Sequence, residues 1–262
     1  MSMLLLMDGP SLTDLVRAMF AANEQGIWLD PSDFSTLFQD STGTTPVTAV
    51  GQPVGKILDK SGRGNHATQS TAASRPTLQQ DSNGMYYLAF DGTDDGMATP
   101  SIDFTGTDKM TVWAGVRKES DAAFGVVCEL SPNSASSYRS FTLFAPFNNG
   151  LADYGWRSKG TAASTIASAA AFASPHKAVL TGIGDISGDS AILRVNGAQV
   201  ASASTDQGTG NYDKYVLYIG RRGGTSSPLN GRIYQLIVRG AASSTAQIAS
   251  TETYVNSKTG AY

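Results

Sequence analysis

Four glutamates, two histidines and one cysteine carry most of the chemistry that this 262-residue chain has to offer. Of Glu24, Glu119, Glu129 and Glu252, only Glu129, in "VVCEL", falls inside a strand-like run, and it stands alone. Glycosidic cleavage by general acid and base takes two carboxylates, so Glu129 by itself reads as a partnered or outward-facing strand residue. His66 and His176 are far apart and lack the spacing of a zinc pair. Each reads as a turn residue making a backbone hydrogen bond. No G-x-S-x-G is present to present a nucleophilic serine. Cys128 sits in an apolar run and reads as buried, and one cysteine excludes an intramolecular disulfide and a cysteine-rich zinc site. On these residues no catalytic group is assigned.

Binding chemistry is better supplied. "LADYGWRSKG" puts Asp153, Tyr154, Trp156 and Arg157 close together. An aromatic face beside a carboxylate suits a hexose. Strand alternation places Tyr154 and Trp156 on one face and Asp153 and Arg157 on the other, so the competing reading is that Trp156 fills a core. Arg221 and Arg222, in the glycine loop "GRRGGTSSPLNG", are candidates for a partner contact or an anionic glycan, against a plain solvated loop. Asp40, Asp59, Asp91, Asp94 and Asp95 fall at turn positions, where short carboxylates cap backbone N–H groups. Asp94 and Asp95 are the one pair that offers calcium a start, given further oxygens from a neighbouring loop.

"VGQPVGKILDKSGRGNHAT" (50–68), with Lys56, Lys60 and Arg63, has the look of a phosphate loop. A P-loop needs G-x-x-x-x-G-K-[ST], so that backbone N–H groups wrap the phosphates and a hydroxyl meets Mg²⁺. Gly51 and Gly55 are one residue too close, and Ile57 follows the lysine where a hydroxyl is required. No βαβ pattern follows, and no cofactor is implied.

The elements that position these residues are mostly strands. Ser11 to Gln25 carries the one clear amphipathic stripe, with Leu12, Leu15, Val16, Met19 and Phe20 at i, i+3, i+4, i+7 and i+8. Ser11 is the expected N-cap, with Asp14 as its acidic partner, and Gly26 the stop. The stripe fits either a helix packed on its own domain or an assembly and attachment helix. After Gly26 the period shortens. Strands are predicted at 85–90, 110–118, 124–130, 141–145, 178–183, 191–195, 199–204, 215–220 and 232–239, short and bounded by Gly, Asn, Asp, Pro or Ser. Asn196-Gly197 calls for a tight hairpin, and "STAQIASTETYVNSKTG" reads as a closing helix stopped by Gly260. The Ala/Ser-rich stretch 161–174 reads as a loop with one edge strand at most. Two helices flanking many strands, without βαβ alternation, argue for an antiparallel double sheet in an all-β fold.

Composition agrees. Charged residues are 16% against the usual quarter or so, and the net charge is −3, with no basic run for nucleic acid. "MLLLM" (3–7) is too short to span a membrane and lacks the flanks of a signal peptide. The expected division is an N-terminal arm and helix over 1–25 and a sandwich over 26–262.

"LDKSGRGNHATQ" (58–69), "YYLAFDGTDDGM" (86–97), "LRVNGAQVAS" and the closing strand–loop–strand–helix from Leu217 to Gly260 together resemble concanavalin A-like domains of the laminin-G type. The resemblance implies a two-sheet jelly-roll sandwich over about residues 26 to 262. The E-x-D-x-x-E run of related sandwich glycosidases is missing, as is the metal-binding ladder of legume lectins. The segment 26–69 is also similar to one found in bacteriophage and prophage structural proteins of the tail or fibre. That similarity implies a non-enzymatic virion component. Its partners would be other virion proteins, met through the arm and helix, further copies of itself, and host-surface polysaccharide. The alternative is a carbohydrate-binding module standing alone, with a glycoside hydrolase or lyase behind it.

Overall fold

The computed structural model describes residues 10–262. Helix α1 (Leu12–Ala18) precedes β1 (Gly26–Leu29), β2 (Leu37–Phe38), β3 (Lys56–Ile57), β4 (Ala67–Thr68), β5 (Thr77–Gln80), β6 (Tyr86–Asp91), β7 (Met97–Asp103) and β8 (Lys109–Lys118). There follow β9 (Val126–Leu130), β10 (Ser140–Phe144), β11 (Tyr154–Lys159), β12 (Ser164–Ala169), β13 (His176–Asp185), β14 (Ser190–Val195), β15 (Ala198–Ala203), β16 (Lys214–Ile219) and β17 (Asn230–Arg239). Helix α2 (Thr245–Thr259) closes the chain.

Two antiparallel sheets result. One runs β15-β14-β13-β8-β17-β6-β5, with β1 also on β17, and the other runs β12-β11-β10-β9-β16-β7-β4-β3-β2. Alternation sends Met110, Val112, Ala114 and Val116 of β8 inward to meet Cys128, Leu130, Phe141, Leu143 and Trp156 of the second sheet. The two edges at β12 and β15 are drawn together, Thr205 N–H donating to Thr165 Oγ1 at 3.0 Å.

Both helices cover the outer face of the eight-stranded sheet. Val16, Met19 and Phe20 pack with Trp28, Trp113, Val179, Ile237, Tyr254 and Val255 in a second apolar cluster. So the stripe, for which packing on its own domain and assembly were the two readings, is covered by the chain itself at Val16, Met19 and Phe20, with Leu12 half-buried on the same cluster. Leu15 borders a shallow groove with Ala18, Met19 and Ala246. The helix is also shorter than expected: it ends at Ala18, and Asn23 at φ 66° turns the chain into β1. Ser11 does cap it, accepting from Asp14 N–H at 3.2 Å. The expected arm, Met3–Met7, lies outside the described residues.

The glycine-rich turn is the strap that fastens this end. Asp59 accepts from the N–H groups of Trp28, Ser61 and Asn65 at 2.8–3.0 Å. Arg63 donates to Phe20 O at 2.5 Å and to Asn23 Oδ1 at 3.0 Å. His66 Nδ1 accepts from Asp59 N–H at 3.0 Å. The cations that suggested a phosphate loop are spent within the chain: Lys56 Nζ donates to Thr42 O at 3.3 Å, Lys60 pairs with Asp30 and Asp33, and Arg63 holds the turn after the first helix.

Among the described residues no helix lies on the outer face of the nine-stranded sheet, so the side chains there decide what this face can meet.

Candidate ligand site on the uncovered sheet face

Cross-strand register builds the site. Arg157 pairs with Thr142, Thr142 with Glu129, and Glu129 with Tyr218, one row across β11, β10, β9 and β16. Directly opposed residues share a face. Since Trp156, Leu143, Cys128 and Leu217 point inward, this row points out.

At its centre Glu129 is fully buried and ion-paired to Arg222 Nε at 2.9 Å. A buried carboxylate needs such a partner and further donors. Ser134 N–H supplies one at 2.5 Å, from a loop (131–139) folded over the row. The loop turns at both ends through positive φ, 108° at Ser131 and 57° at Arg139. Ser134 Oγ meets Thr142 Oγ1 and accepts from Arg157 Nη1, the latter at 3.3 Å.

Beside this network lies an open pocket of about 450 Å³, lined by Phe124, Phe147, Asn148, Asn149, Arg222 and Ser227. Phe124 and Phe147 form its aromatic wall, backed by the buried Phe144, with ring centres 4.9–6.3 Å apart. The guanidinium of Arg222 lies over Phe124 at 4.9 Å and that of Arg157 over Phe144 at 5.3 Å. Asp153 positions the wall. Its Oδ1 accepts from Phe147 N–H at 2.9 Å and Asn148 N–H at 3.2 Å, and its Oδ2 accepts from Asn148 Nδ2 at 2.6 Å. Asn149 Oδ1 takes Phe124 N–H at 2.6 Å and so ties the two pocket loops. Gly155 leaves the room: a Cβ there would stand 2.7 Å from Phe147.

The candidate residues are thus redistributed. Trp156 is core, stacked on Phe141 at 5.4 Å, and its Nε1 donates to Ile183 O at 3.0 Å. Tyr154 is core as well, its hydroxyl 2.9 Å from His176 Nδ1. Neither offers a face to a sugar, because β11 turns even-numbered side chains into the sandwich. Asp153 supports the pocket from behind. Arg157 and Arg222 come together around Glu129. Arg221 turns away to Asp94 O and Thr225 O, both at 2.9 Å. Phe124, Phe144, Phe147, Asn148, Asn149 and Ser227 were not singled out by sequence reasoning. "FAPFNNG", two phenylalanines flanking proline before Asn-Asn-Gly, is the signal that was available.

Asp94 and Asp95 join Asp91 in a turn whose carboxylate oxygens lie within 4.8 Å. Asp91 Oδ1 accepts from Thr93, Asp94 and Asp95 N–H, Asp94 Oδ2 from Ser74 Oγ, and Asp95 Oδ2 from Asp91 N–H. Asp91 and Asp95 cap backbone N–H groups as expected, whereas the Asp94 carboxylate meets the Ser74 hydroxyl instead. Burial, and then the Asp91 charge, push the Asp95 carboxyl up to about 6. His66 and His176 sit in separate networks. Burial raises the Cys128 thiol well above its ordinary value.

No curated protein matches the sequence. Among solved structures, the chain is similar to the botulinum neurotoxin serotype D binding domain at 10% identity and TM-score 0.60, over 88% of this chain and 52% of that one. It is similar to a botulinum neurotoxin type C structure, whose cell entry is described as dependent on two ganglioside molecules, at 8% identity and TM-score 0.60, over 94% and 53%. A serotype D ligand-binding domain in complex with N-acetylneuraminic acid follows at 11% and 0.56, over 93% and 53%. The chain spans about half the length of these structures, and at such identity the likeness is one of fold. The family model for the concanavalin A-like lectin/glucanases superfamily matches residues 91–249, which take in β7 to β17 and every residue of the pocket. Two antiparallel sheets, the uncovered sheet face and this match agree: the chain belongs to the concanavalin A-like lectin/glucanases superfamily.

Proposed function

We propose that the chain is a non-catalytic carbohydrate-binding module whose ligand sits in the pocket on the uncovered face. The carrying observation is the pocket's lining: two aromatic rings, two side-chain amides, a guanidinium and a hydroxyl around about 450 Å³. Rings supply stacking for the apolar face of a sugar, and amide and hydroxyl groups supply directional partners for its hydroxyls. The matched neurotoxin structures extend well beyond this chain. Their gangliosides therefore favour the reading only in the general sense that the fold accompanies glycan recognition.

The non-catalytic part of this reading is supported by Glu129. Its carboxylate is sealed under Ser134 and committed to Arg222, and its neighbours in the row are cationic or neutral. It is in no position to deliver or take a proton on the far side of that seal. A glycan array probed with the full chain is the test. Binding that falls at least tenfold in a Phe147→Ala variant is expected; a blank array sinks the reading. Turnover of any bound polysaccharide, lost in Glu129→Gln, would replace it with the hydrolase alternative.

A second reading concerns where such a module is carried. The similarity of residues 26–69 to phage structural proteins favours a virion appendage. Peptides of this chain in purified phage particles would support it, and their consistent absence would remove it.

A further inference from the structure

Counting Arg222, which reaches in from the loop after β16, the network around the outer row holds more positive charge than Glu129 offsets. Glu129 pairs with Arg222, and among the described residues Arg157 has no carboxylate within ion-pair distance. Its one side-chain acceptor is the Ser134 hydroxyl. The two guanidiniums repel each other: burial first, and then Arg222, lower the Arg157 pKa, with Glu129 opposing. Two buried donors of this network find no acceptor among the described residues, Arg157 Nε and Arg222 Nη2. A buried donor left without an acceptor costs stability, more so when charged. Arg222 lines the pocket directly, and Arg157 lies over Phe144, which backs its wall.

We propose, resting on the saccharide-binding reading, that this pocket selects saccharides bearing an anionic substituent, a carboxylate or a sulfate, which accepts from the Arg222 guanidinium while the sugar ring lies against Phe124 and Phe147. A guanidinium fork matches a planar or tetrahedral oxyanion better than a neutral hydroxyl does. Arg157 adds a second positive charge across the network that Glu129 does not cancel. The aromatic wall and the amides distinguish a sugar acid from a bare inorganic anion, which would find one cation and no surface to lie on. The chain's net charge of −3 works against an extended polyanion such as nucleic acid.

The test is equilibrium binding of the full chain to paired probes: oligouronides and their carboxyl-reduced forms, and sulfated oligosaccharides and their desulfated forms. The acidic member of one pair is expected to bind at least tenfold tighter than its neutral partner, with affinity falling as salt rises. Which pair discriminates tells carboxylate from sulfate. Arg157→Gln should weaken the acidic probe severalfold more than its neutral partner, a split that simple loss of structure would not give. Removing Arg222 alone strands Glu129, so the paired Glu129→Gln/Arg222→Gln variant is used, and it should abolish the preference for acid. Equal binding of acidic and neutral members would overturn the anionic selectivity and leave carbohydrate binding standing. Failure of all four probes, on an array that also stays blank, would overturn both.

Discussion

Glu129 and Arg222 are unequal partners, and the inequality can be measured. The carboxylate is fully buried, whereas the arginine side chain keeps 15% of its surface exposed. Removing one member of a buried pair costs about 3–5 kcal/mol when the other charge has nowhere to go. Arg222→Ala should therefore cost about 3 kcal/mol in urea denaturation. Glu129→Gln should cost distinctly less, since Arg222 keeps a route to water and glutamine still accepts from Ser134 N–H. Asp95 gives a second test. Its folded pKa of about 6 lies above its ordinary 3.8, because burial and Asp91 disfavour the charge. A group raised on folding contributes its full stability below the unfolded value and loses it as pH climbs through the folded one. Asp95→Asn should thus raise Tm at pH 7 and change it little at pH 4. One oxygen of each of these carboxylates already accepts a hydrogen bond within the chain, and we expect no calcium-dependent rise in Tm. A rise in the wild type that is absent from Asp95→Asn would install a cation there. At this scale the sequence spoke unevenly. The turn aspartates were legible because a short carboxylate has few other uses in a turn. Trp156 was ambiguous because parity says which residues share a face and never which face is inside.

Elements were easier to read than sites. Nine strands announced themselves by alternation and by turn residues at their ends, and β8, β13 and β17 each exceed the expected run by a residue or more. The short strands β2, β3 and β4 were not legible, since two residues hold no period. Strand β12, in the Ala/Ser-rich stretch, is the edge strand that was allowed for. The closing helix ends as expected at Gly260, at φ 64°, and the Asn196-Gly197 turn has both residues at positive φ, 51° and 79°. The first helix shows the limit of the method: a stripe reports that something covers it and is silent on what. Here it is the sheet and α2. A chain beginning at Gln25 would lose Val16, Met19 and Phe20, each 2% exposed or less, and bare the cluster around Trp28 and Trp113. At about 1.5–3 kcal/mol per buried side chain, at least about 5 kcal/mol should go. Chemical denaturation of the two lengths checks this. Equal stability would mean the helix is detachable, as an attachment device would require.

On the scale of the molecule, three layers stand in order: helices, the eight-stranded sheet, the nine-stranded sheet. The first helix and the last belong to the same layer, and the pocket opens on the opposite side. The molecule therefore has a back and a front. Helix α1 and the closing helix thus lie behind, and the pocket in front. Immobilised by either end on a sensor, the chain should bind its saccharide with one and the same affinity; a loss confined to one orientation would show that the ends reach round. If the pocket binds as proposed, such a body would work like a plug-in head, and several carried side by side would offer their pockets to one surface together.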